Sequence, residues 1–357
     1  MTQTLTNPQV DSMMTVTELA ACFDVQPGYL SAATCGIAPR PAVAAMLADL
    51  ERWRHGLVDP AAYDPVVAGT REAYARLVGV SADRVAIGSQ TSALVANISA
   101  SLPVGAEVVI AANDFTSIVY PFLVADGLAV RCVSLAELAE AVTDGTGLVV
   151  FSLVQSSTGE VADSDAILSA AAAHGASTLV DLTQAAGVLP VDASRFDATV
   201  CHAYKWLCSP RGVAFLTLSE EFAAGLRPVA AGWYAGQNPW TSIYGADLNL
   251  AEDARRFDAS PAWQAFVGAK PAIELFAAAD IGAVWEHACG LGDALCRGLG
   301  IPEQHQAIVT WADPDGSQVK RLTASGLRVA GRAGRVRAAF HVWNTPADVE
   351  AVLLALT

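Results

Sequence analysis

Short apolar runs separated by polar turns occupy the central part of the chain. Seven of them have the length and composition of strands, at residues 85–88, 107–111, 129–134, 148–154, 177–181, 198–203 and 213–218. Helix-like segments separate the first five runs, and shorter connections join the last three. Such alternation predicts an α/β fold with a mainly parallel seven-stranded sheet covered by helices on both faces. Ligands of such sheets bind at the carboxyl ends of the strands.

Helices are predicted before the sheet and after it. Apolar residues recur at helical spacing over residues 40–56, and this stripe consists of Val43, Met46, Leu47, Leu50 and Trp53. A second helix fits residues 61–79. Beyond about residue 225 the pattern changes. A loop that contains Gly and Pro is predicted at 232–240, followed by helices at 261–280 and 282–299. Strands are predicted at 308–312, 327–331 and 336–343.

The last helix and the domain boundaries follow from the same pattern. Thr345 is followed three residues later by Asp348, as in a capping box, so the last helix begins there. We expect an N-terminal extension at 1–28, a large domain at 29–245 and a small α+β domain at 246–357, with residues 29–60 able to pack against the small domain.

Composition excludes several classes of protein. The chain has 357 residues, 53% hydrophobic and 16% charged, which is typical of a globular protein. Its net charge of −15 argues against nucleic acid or an anionic membrane as a partner. Seven cysteines without a C-x-x-C spacing indicate reduced thiols and no metal site. The N-terminus lacks the pattern of a signal peptide, and no apolar run reaches the roughly 18 residues of a membrane span, so we expect a cytoplasmic protein.

One lysine lies in a distinctive position. Of the three lysines, Lys205, Lys270 and Lys320, only Lys205 lies where an apolar run ends and a Ser-Pro-Arg-Gly turn follows. A partly buried lysine has a lowered pKa and can form a Schiff base with an aldehyde. A surface lysine in a loop is the alternative explanation for this stretch alone.

A second strand end favours the cofactor explanation. Asp181 ends the apolar run at 177–181, and Gln184 follows it by three residues. Pyridoxal 5′-phosphate (PLP) needs a carboxylate against its ring nitrogen and a lysine on its aldehyde. Asp181 and Lys205, at the ends of successive strands, supply both groups. We therefore predict PLP as the cofactor and Lys205 as the catalytic lysine.

These motifs carry a resemblance to a known family. Asp-Leu-Thr-Gln (181–184) followed by Ala-Tyr-Lys-Trp-Leu-Cys-Ser-Pro-Arg-Gly (203–212) resembles the class V aminotransferase group of fold-type I PLP enzymes, over most of the chain from Tyr29 onward. That group includes cysteine desulfurases, kynureninases, isopenicillin N epimerase-like proteins and the ergothioneine-pathway C–S lyase. The resemblance is specific for the cofactor and weak for the reaction. It implies a homodimer with sites near the subunit interface.

The resemblance also implies which residues surround the cofactor. The turn before the helix at Thr91 matches the phosphate-binding turn, where free amides at a helix start favour an anion. For His202, a satisfied core histidine is the alternative. Phe115 lies where the family stacks a ring on the pyridine, although a core phenylalanine is an alternative there. The expected cofactor-binding residues are Asp181, Gln184, Gln90, Thr91, Ser92, Phe115, His202, Tyr204, Lys205 and Thr158, with Trp240 and Ser260 reaching across from the neighbouring subunit.

A substrate carboxylate needs a guanidinium partner. The resemblance implies an arginine in the strand pair near 332–337, where Arg332 matches the desulfurase-like placement and Arg337 the kynureninase-like one. We favour Arg337. The segment that contains Cys35 is expected to border the substrate.

The cysteine positions separate the possible reactions. Desulfurases of this group carry a nucleophilic cysteine before the terminal strand, whereas residues 297–357 contain no cysteine. We therefore expect a PLP-dependent enzyme that acts on an L-amino acid by C–S β-elimination of an S-substituted cysteine in a biosynthetic pathway. Transamination and decarboxylation-coupled oxidative deamination remain alternatives, followed by epimerisation and desulfuration. A non-catalytic PLP-fold protein is disfavoured because Lys205, Asp181 and Gln184 are all present.

Overall fold

The computed structural model describes residues 13–357 and contains the predicted central sheet. The first twelve residues of the predicted N-terminal extension lie outside the described part. All seven predicted strands form, within two residues of their expected bounds. They are β1 (Val85–Gly88), β2 (Glu107–Ala111), β3 (Ala129–Val133), β4 (Thr146–Ser152), β5 (Ser177–Asp181), β6 (Ala198–His202) and β7 (Ala214–Leu218).

The sheet has the order β1-β7-β6-β5-β4-β2-β3. Strands β3, β2, β4, β5 and β6 run parallel, and β7 is antiparallel to both β6 and β1. Strand β5 is buried along nearly its whole length, as expected for a strand covered on both faces. The parallel strands bring the carboxyl ends of β5 and β6 to one edge of the sheet, so Asp181 and the loop after His202 lie together.

Helices cover the sheet and build the rest of the molecule. The described α-helices are α1 (Val16–Ala20), α2 (Arg40–Arg54), α3 (Asp64–Leu77), α4 (Thr91–Ser99), α5 (Thr116–Leu123), α6 (Ser164–His174), α7 (Glu220–Ala224), α8 (Trp263–Ala277), α9 (Ile281–Leu299), α10 (Ser317–Ala324) and α11 (Pro346–Leu356).

The helix predictions are mostly confirmed, with one failure. The helices expected at 40–56, 61–79, 261–280 and 282–299 are α2, α3, α8 and α9. Between β3 and β4, however, only a short 3₁₀ turn forms (Leu135–Glu137). A capping box between Ser134 and Glu137 starts this turn, but the chain must reach β4 within twelve residues and continues in turns instead.

The amphipathic stripe of α2 is not covered within one chain. The helix forms, but Val43, Leu47, Leu50 and Trp53 are exposed. The other face of α2 packs against α8 and buries Ala42 and Asp49. Helical periodicity therefore identified the helix correctly, whereas the face that is buried within the chain is the one with small and polar residues.

A second sheet of three antiparallel strands forms near the C-terminus. Its order is β8-β10-β9, from β8 (Ile308–Ala312), β9 (Ala330–Arg332) and β10 (Arg335–Ala339). The last strand is shorter than the predicted 336–343, because the backbone N–H of His341 donates to the side chain of Asn344 and turns the chain. Thr345 caps α11 with the predicted capping box.

The segment after residue 28 joins this second sheet. Isolated bridges pair Tyr29 with Arg328 and Ser31 with Ala339, so residues 29–31 lie beside β9 and β10. The packing of residues 29–60 with a small domain and the boundaries at 28 and 245 remain predictions. Within residues 13–357, no helix is both long enough and apolar enough to cross a membrane.

A buried ion pair covers the outer edge of β1. Asp258 accepts the backbone N–H of Ile87 (2.8 Å) and pairs with Arg71 on α3 (2.6 Å). The backbone N–H of Ala259 donates to Ile87 O (3.0 Å). An uncovered edge strand would expose unpaired backbone groups. These contacts therefore fix β1, and with it the turn that leads into α4.

Candidate active site

Lys205 lies in the loop between β6 and β7, and it is 5% exposed. Its Nζ lies 5.2 Å from the centre of the Phe115 ring, and no group among residues 13–357 forms a hydrogen bond with it. Burial lowers the pKa of Lys205 to about 8, while the charge of Asp181 opposes this shift and that of Arg337 adds to it. At neutral pH a usable fraction of the amine is therefore neutral and nucleophilic.

Asp181 ends β5 as a buried carboxylate. Its Oδ1 accepts the backbone N–H of Thr183 (2.7 Å), whereas no described residue donates to Oδ2. Burial raises the pKa of Asp181 to about 6, although the bonds from Thr183 lower it. A protonated ring nitrogen against Oδ2 would supply the missing donor and restore a low pKa.

Phe115 is held in place by a residue that sequence reasoning missed. Asp114 is buried and accepts hydrogen bonds from the backbone N–H groups of Phe115 (2.7 Å) and Ser152 (2.6 Å) and from Gln155 Nε2 (3.1 Å). The carboxylate thus ties the end of β2 to the end of β4. An acidic residue between the strand and Phe115 was the signal that could have identified it.

The predicted phosphate turn lies at the start of α4. Gln90 is the N-cap in extended conformation, and no side chain caps the helix. Thr91 is buried at the first helical position, and its hydroxyl has no partner among the described residues. Ser92 follows it, half-buried. The first amides of α4 are therefore free to bind an anion, which the helix dipole favours.

His202 and Tyr204 lie together beside Lys205. Their rings meet edge to face at 4.5 Å, and the guanidinium of Arg211 lies 4.5 Å from the Tyr204 ring. His202 Nε2 is buried and has no partner within the described chain, which argues against a satisfied core histidine. Burial, followed by the charge of Arg211, lowers the pKa of His202 to about 4. Arg211 was not among the predicted residues, although the Ser-Pro-Arg-Gly turn contained it.

Gln184 links three segments around the site through its side-chain amide. Its Nε2 donates to Ala33 O (3.0 Å) and Ser156 Oγ (2.9 Å), and its Oε1 accepts from Trp206 Nε1 (2.7 Å). Both amide hydrogens are thus used within the protein. A direct contact of Gln184 with the cofactor remains a prediction that this geometry does not support.

Arg337 lies inside the site and Arg332 at its rim. Arg337 is 2% exposed and donates to Thr34 Oγ1 (2.7 Å) and to the backbone and side chain of Ser156. Burial lowers the pKa of Arg337 to about 10, which leaves it charged at neutral pH. Arg332 is exposed, and its guanidinium donates to its own strand at Gly331 O (2.7 Å).

The segment around Cys35 borders the lysine loop, and its contact with the substrate remains a prediction. The backbone N–H of Gly36 donates to Tyr204 O (2.8 Å), and a Cβ at Gly36 would lie 2.0 Å from Lys205 O. Only glycine fits this approach. Cys35 itself is exposed, with its Sγ 3.4 Å from Gly36 O.

Three predicted residues do not reach Lys205 within one chain. The Thr158 hydroxyl accepts the N–H of Glu160 (3.2 Å) in its own turn. Trp240 Nε1 donates to Asp64 Oδ2 on α3 (2.5 Å), and no contact of Trp240 with Lys205 forms. Ser260 is exposed and follows the residue that bonds to Ile87 at the end of β1. A contribution of Trp240 and Ser260 from a second subunit remains a prediction.

His341 holds the loop after Lys205 from the small sheet. Its Nδ1 accepts the N–H of Val342 (2.7 Å), so its Nε2 carries the proton and donates to Trp206 O (2.9 Å). The ring also stacks on Trp343 at 4.3 Å. Burial lowers the pKa of His341 to about 4, so the ring is neutral.

The family model "Aminotransferase class-V" matches residues 61–319, which is well over half of the chain. The chain belongs to the class-V aminotransferase family. It is a PLP-dependent enzyme with the α/β fold of that family. The residues of the site fit PLP. Within residues 13–357, Lys205 offers a buried amine without a hydrogen-bond partner, Asp181 Oδ2 offers an acceptor without a donor, and the start of α4 offers uncapped backbone amides. When bound, the cofactor withdraws electrons from the α-carbon of an amino acid.

Curated relatives of this class-V aminotransferase have different names. Kynureninase of Deinococcus radiodurans is 31% identical over 305 residues, which span 75% of this chain and 70% of the relative. Isopenicillin N epimerase of Amycolatopsis lactamdurans is 30% identical over 236 residues, 59% of each chain.

Solved structures with the same fold include sulfur-handling enzymes. The cystine C–S lyase C-DES, in complex with its product cysteine persulfide, superposes with a TM-score of 0.84 at 21% identity, over 93% of this chain and 97% of that one. The cysteine desulfurase CsdA of Escherichia coli gives a TM-score of 0.82 at 18% identity, over 96% and 97%. At these identities the likeness concerns the fold.

We expect Lys205→Ala to lose the visible cofactor absorbance and all turnover while keeping the circular dichroism of the wild type. Lys205 is the lysine whose buried amine lies at the ends of β5 and β6, whereas Lys270 is paired with Glu274. Borohydride reduction of the wild-type holoenzyme followed by peptide mapping checks the assignment. A pyridoxyl label on Lys270 or Lys320 would show that the assignment is wrong.

We expect His341→Gln to flatten the dependence of unfolding free energy on pH below 6.5. In the unfolded chain His341 binds a proton near pH 6.5, whereas the buried ring in the folded protein does so only near pH 4. The contribution of the neutral ring to the free energy of unfolding is therefore fully present above pH 6.5 and is lost as the pH falls toward 4. The loss amounts to about 3 kcal/mol. Glutamine keeps a donor for Trp206 O but does not titrate. Urea unfolding at pH 7.0 and 4.5 measures the free energy of unfolding of each protein, and the exposed His55→Gln serves as the control. If the free energy of unfolding falls equally between these pH values in the wild type and in His341→Gln, the prediction is wrong.

Proposed function

We propose that this enzyme catalyses β-elimination of an S-substituted L-cysteine in a biosynthetic pathway. The cysteine conjugate and water give a thiol, pyruvate and ammonia. The family supplies the PLP chemistry, and the C–S lyase among the structural neighbours has a reaction of this kind in its name. The proposal is carried by the placement of the cysteines: residues 297–357 contain none, and Cys201 and Cys208 are buried.

The cysteines near the site argue against desulfuration. Persulfide formation needs a thiolate within reach of the substrate sulfur. Burial raises the pKa of the Cys201 and Cys208 thiols well above the usual range, so neither is a nucleophile at neutral pH. Residues 297–357 contain no cysteine, and Cys35 is the exposed cysteine of the segment beside the lysine loop.

Elimination needs a small set of groups, and the site offers each of them. Lys205 Nζ takes the proton from the α-carbon, and its lowered pKa suits it to act as a base near neutral pH. Asp181 would hold the ring nitrogen of the cofactor and keep its charge. Arg337 is already held in place by Thr34 and Ser156, so it can bind the α-carboxylate with little loss of side-chain freedom.

We expect an S-alkyl or S-glycosyl cysteine to give thiol and pyruvate in a one-to-one ratio, without a protein persulfide. Cys35→Ser should keep near-normal kcat/KM, since no step of elimination needs a thiol. Separate assays for thiol, pyruvate, keto acid, carbon dioxide and persulfide measure the outcome.

Other products would identify other reactions. If Cys35→Ser lost all activity but kept the cofactor absorbance, the result would indicate that the reaction is desulfuration. A keto acid that retains the sulfur substituent would mean transamination. Carbon dioxide with an aldehyde would mean decarboxylation-coupled oxidative deamination, and an inverted amino acid would mean epimerisation.

We further propose that the enzyme works as a homodimer. Exposed apolar side chains occupy the stripe of α2, the α5 region and the loop after residue 239, and large exposed apolar surfaces mark interaction sites. These side chains are Val43, Leu47, Leu50, Trp53, Tyr120, Leu123, Val124, Ile243, Tyr244 and Leu248. A second copy covering these surfaces could bring its Trp240 and Ser260 toward the neighbouring cofactor.

We expect Leu47→Glu to convert the dimer largely to monomer, because a charge on the α2 stripe would be buried without a partner. Leu47 is 62% exposed in one chain, and Leu354 on α11, 77% exposed, offers a matched control outside the proposed interface. Leu354→Glu should remain dimeric. Sedimentation equilibrium measures both variants, and a cofactor-loaded, active monomer of the wild type would refute the dimer.

A further inference from the structure

Three arginines lie on one face of the small sheet. In β10, Arg335 and Arg337 are two residues apart, so their side chains leave the strand on the same side. Arg332 in β9 is the direct cross-strand neighbour of Arg335. Directly paired residues share a face of the sheet. The three arginine side chains therefore leave the same face of the small sheet.

None of the three forms an ion pair with an acidic side chain in the part of the chain that the structure describes. Arg337 is bonded to Thr34 and Ser156, and Arg335 is bonded to Thr310 through Nε (3.1 Å) and Nη2 (2.9 Å). Arg332 has a bond only to Gly331 O of its own strand. In a chain with a net charge of −15, a cluster of unpaired cations needs an explanation.

The Arg332–Arg335 pair is unfavourable in the absence of an anion. Like charges directly opposite each other in an antiparallel pair repel. The turn between them holds Ala333 at φ 47° and Gly334 at φ 71°, and such a tight two-residue turn keeps the two strands in register. An anion between or beside the guanidinium groups would remove the repulsion.

Nearby acidic residues do not provide that anion. Asp313 and Asp315 line the same surface hollow as Arg332 and Arg335. Asp313, however, accepts the N–H groups of Gln318 and Val319 (both 3.0 Å), and Asp315 accepts that of Ser317 (3.1 Å). Both carboxylates are therefore engaged at the start of α10.

Arg332 also acts on the interior of the site. Burial is the main cause of the lowered pKa values of Lys205 and Arg337, and the charge of Arg332 adds to the lowering of both. Arg337 is buried and Arg332 is exposed. The pair therefore offers one anion subsite inside the pocket and another at its rim.

We propose that Arg332 binds a second anionic group, a carboxylate on the sulfur substituent of the substrate, while Arg337 binds the α-carboxylate. This inference rests on the proposed function and names its substrate class: S-substituted cysteines that carry an acid on the substituent. Arg332 is then the residue that selects acidic substituents over neutral ones of the same size.

Binding can be measured without elimination. In L-2-aminoadipate and L-2-aminopimelate a methylene replaces the sulfur of such substrates, so no leaving group is present. Each has a side-chain amide of the same shape. Titration of the wild-type holoenzyme, followed by the change in cofactor absorbance, should give at least about tenfold tighter binding for one of the acids than for its amide.

Variants then test whether Arg332 causes this preference for the acids. Arg332→Gln should remove it while leaving the Kd of the amide within about twofold of the wild type. Arg321→Gln on α10 makes the same charge change at an exposed arginine of the small domain, and it should keep the preference. Equal weakening of acid and amide in Arg332→Gln would overturn the proposal, since Arg332 would then bind the shared α-carboxylate.

The outcomes separate this inference from the proposed reaction. The wild type could bind acids and amides equally and still release thiol and pyruvate from cysteine conjugates. That result would overturn the inference and support the proposed reaction. A preference for the acids that Arg332→Gln removes, without any thiol release, would support the inference and refute the reaction. No absorbance change with any of the four compounds would overturn the inference, while the thiol and pyruvate assays decide the reaction.

Discussion

The site depends on an amine that the fold keeps away from water. Lys205 is buried at the carboxyl edge of the sheet, and burial lowers its pKa to about 8. Burial disfavours the protonated form relative to the neutral amine by about 3 kcal/mol. That cost can be tolerated only where the surroundings are rigid. The same desolvation makes the amine a nucleophile and a base near neutral pH, so the constraint on folding is also the source of reactivity.

A chain of hydrogen bonds supplies this rigidity across both sheets. His341 from the small sheet holds the backbone of Trp206, Trp206 holds Gln184, and Gln184 holds Ser156, which Arg337 also contacts. Because His341, Trp206, Gln184 and Arg337 are buried, loss of one partner leaves another unsatisfied. The lysine loop, the end of β5 and Arg337 are therefore positioned together. The small sheet thus takes part in building a pocket that lies mainly at the edge of the large sheet.

The charge distribution divides the pocket into regions with different tasks. Asp181 provides negative charge at the base, α4 provides uncapped amides, and Arg211 provides positive charge beside His202 and Tyr204. The arginines of the small sheet face the remaining side. In a protein with an overall negative charge, anionic ligands must be attracted by such local groups, since the long-range field repels them.

The sequence by itself determined the seven strands and the main helices. It also led to the predictions that Lys205, Asp181 and the turn before α4 hold the cofactor. These features depend on local patterns: apolar runs, helical spacing, and the order of groups along successive strand ends. Only the tertiary structure decided that the apolar stripe of α2 is uncovered in one chain, and that residues 134–145 form turns. It also decided that Gln184 braces the loop, that Asp114 fixes Phe115, and that Arg332 lies opposite Arg335. Each of these depends on contacts between segments far apart in the chain, which no local pattern encodes.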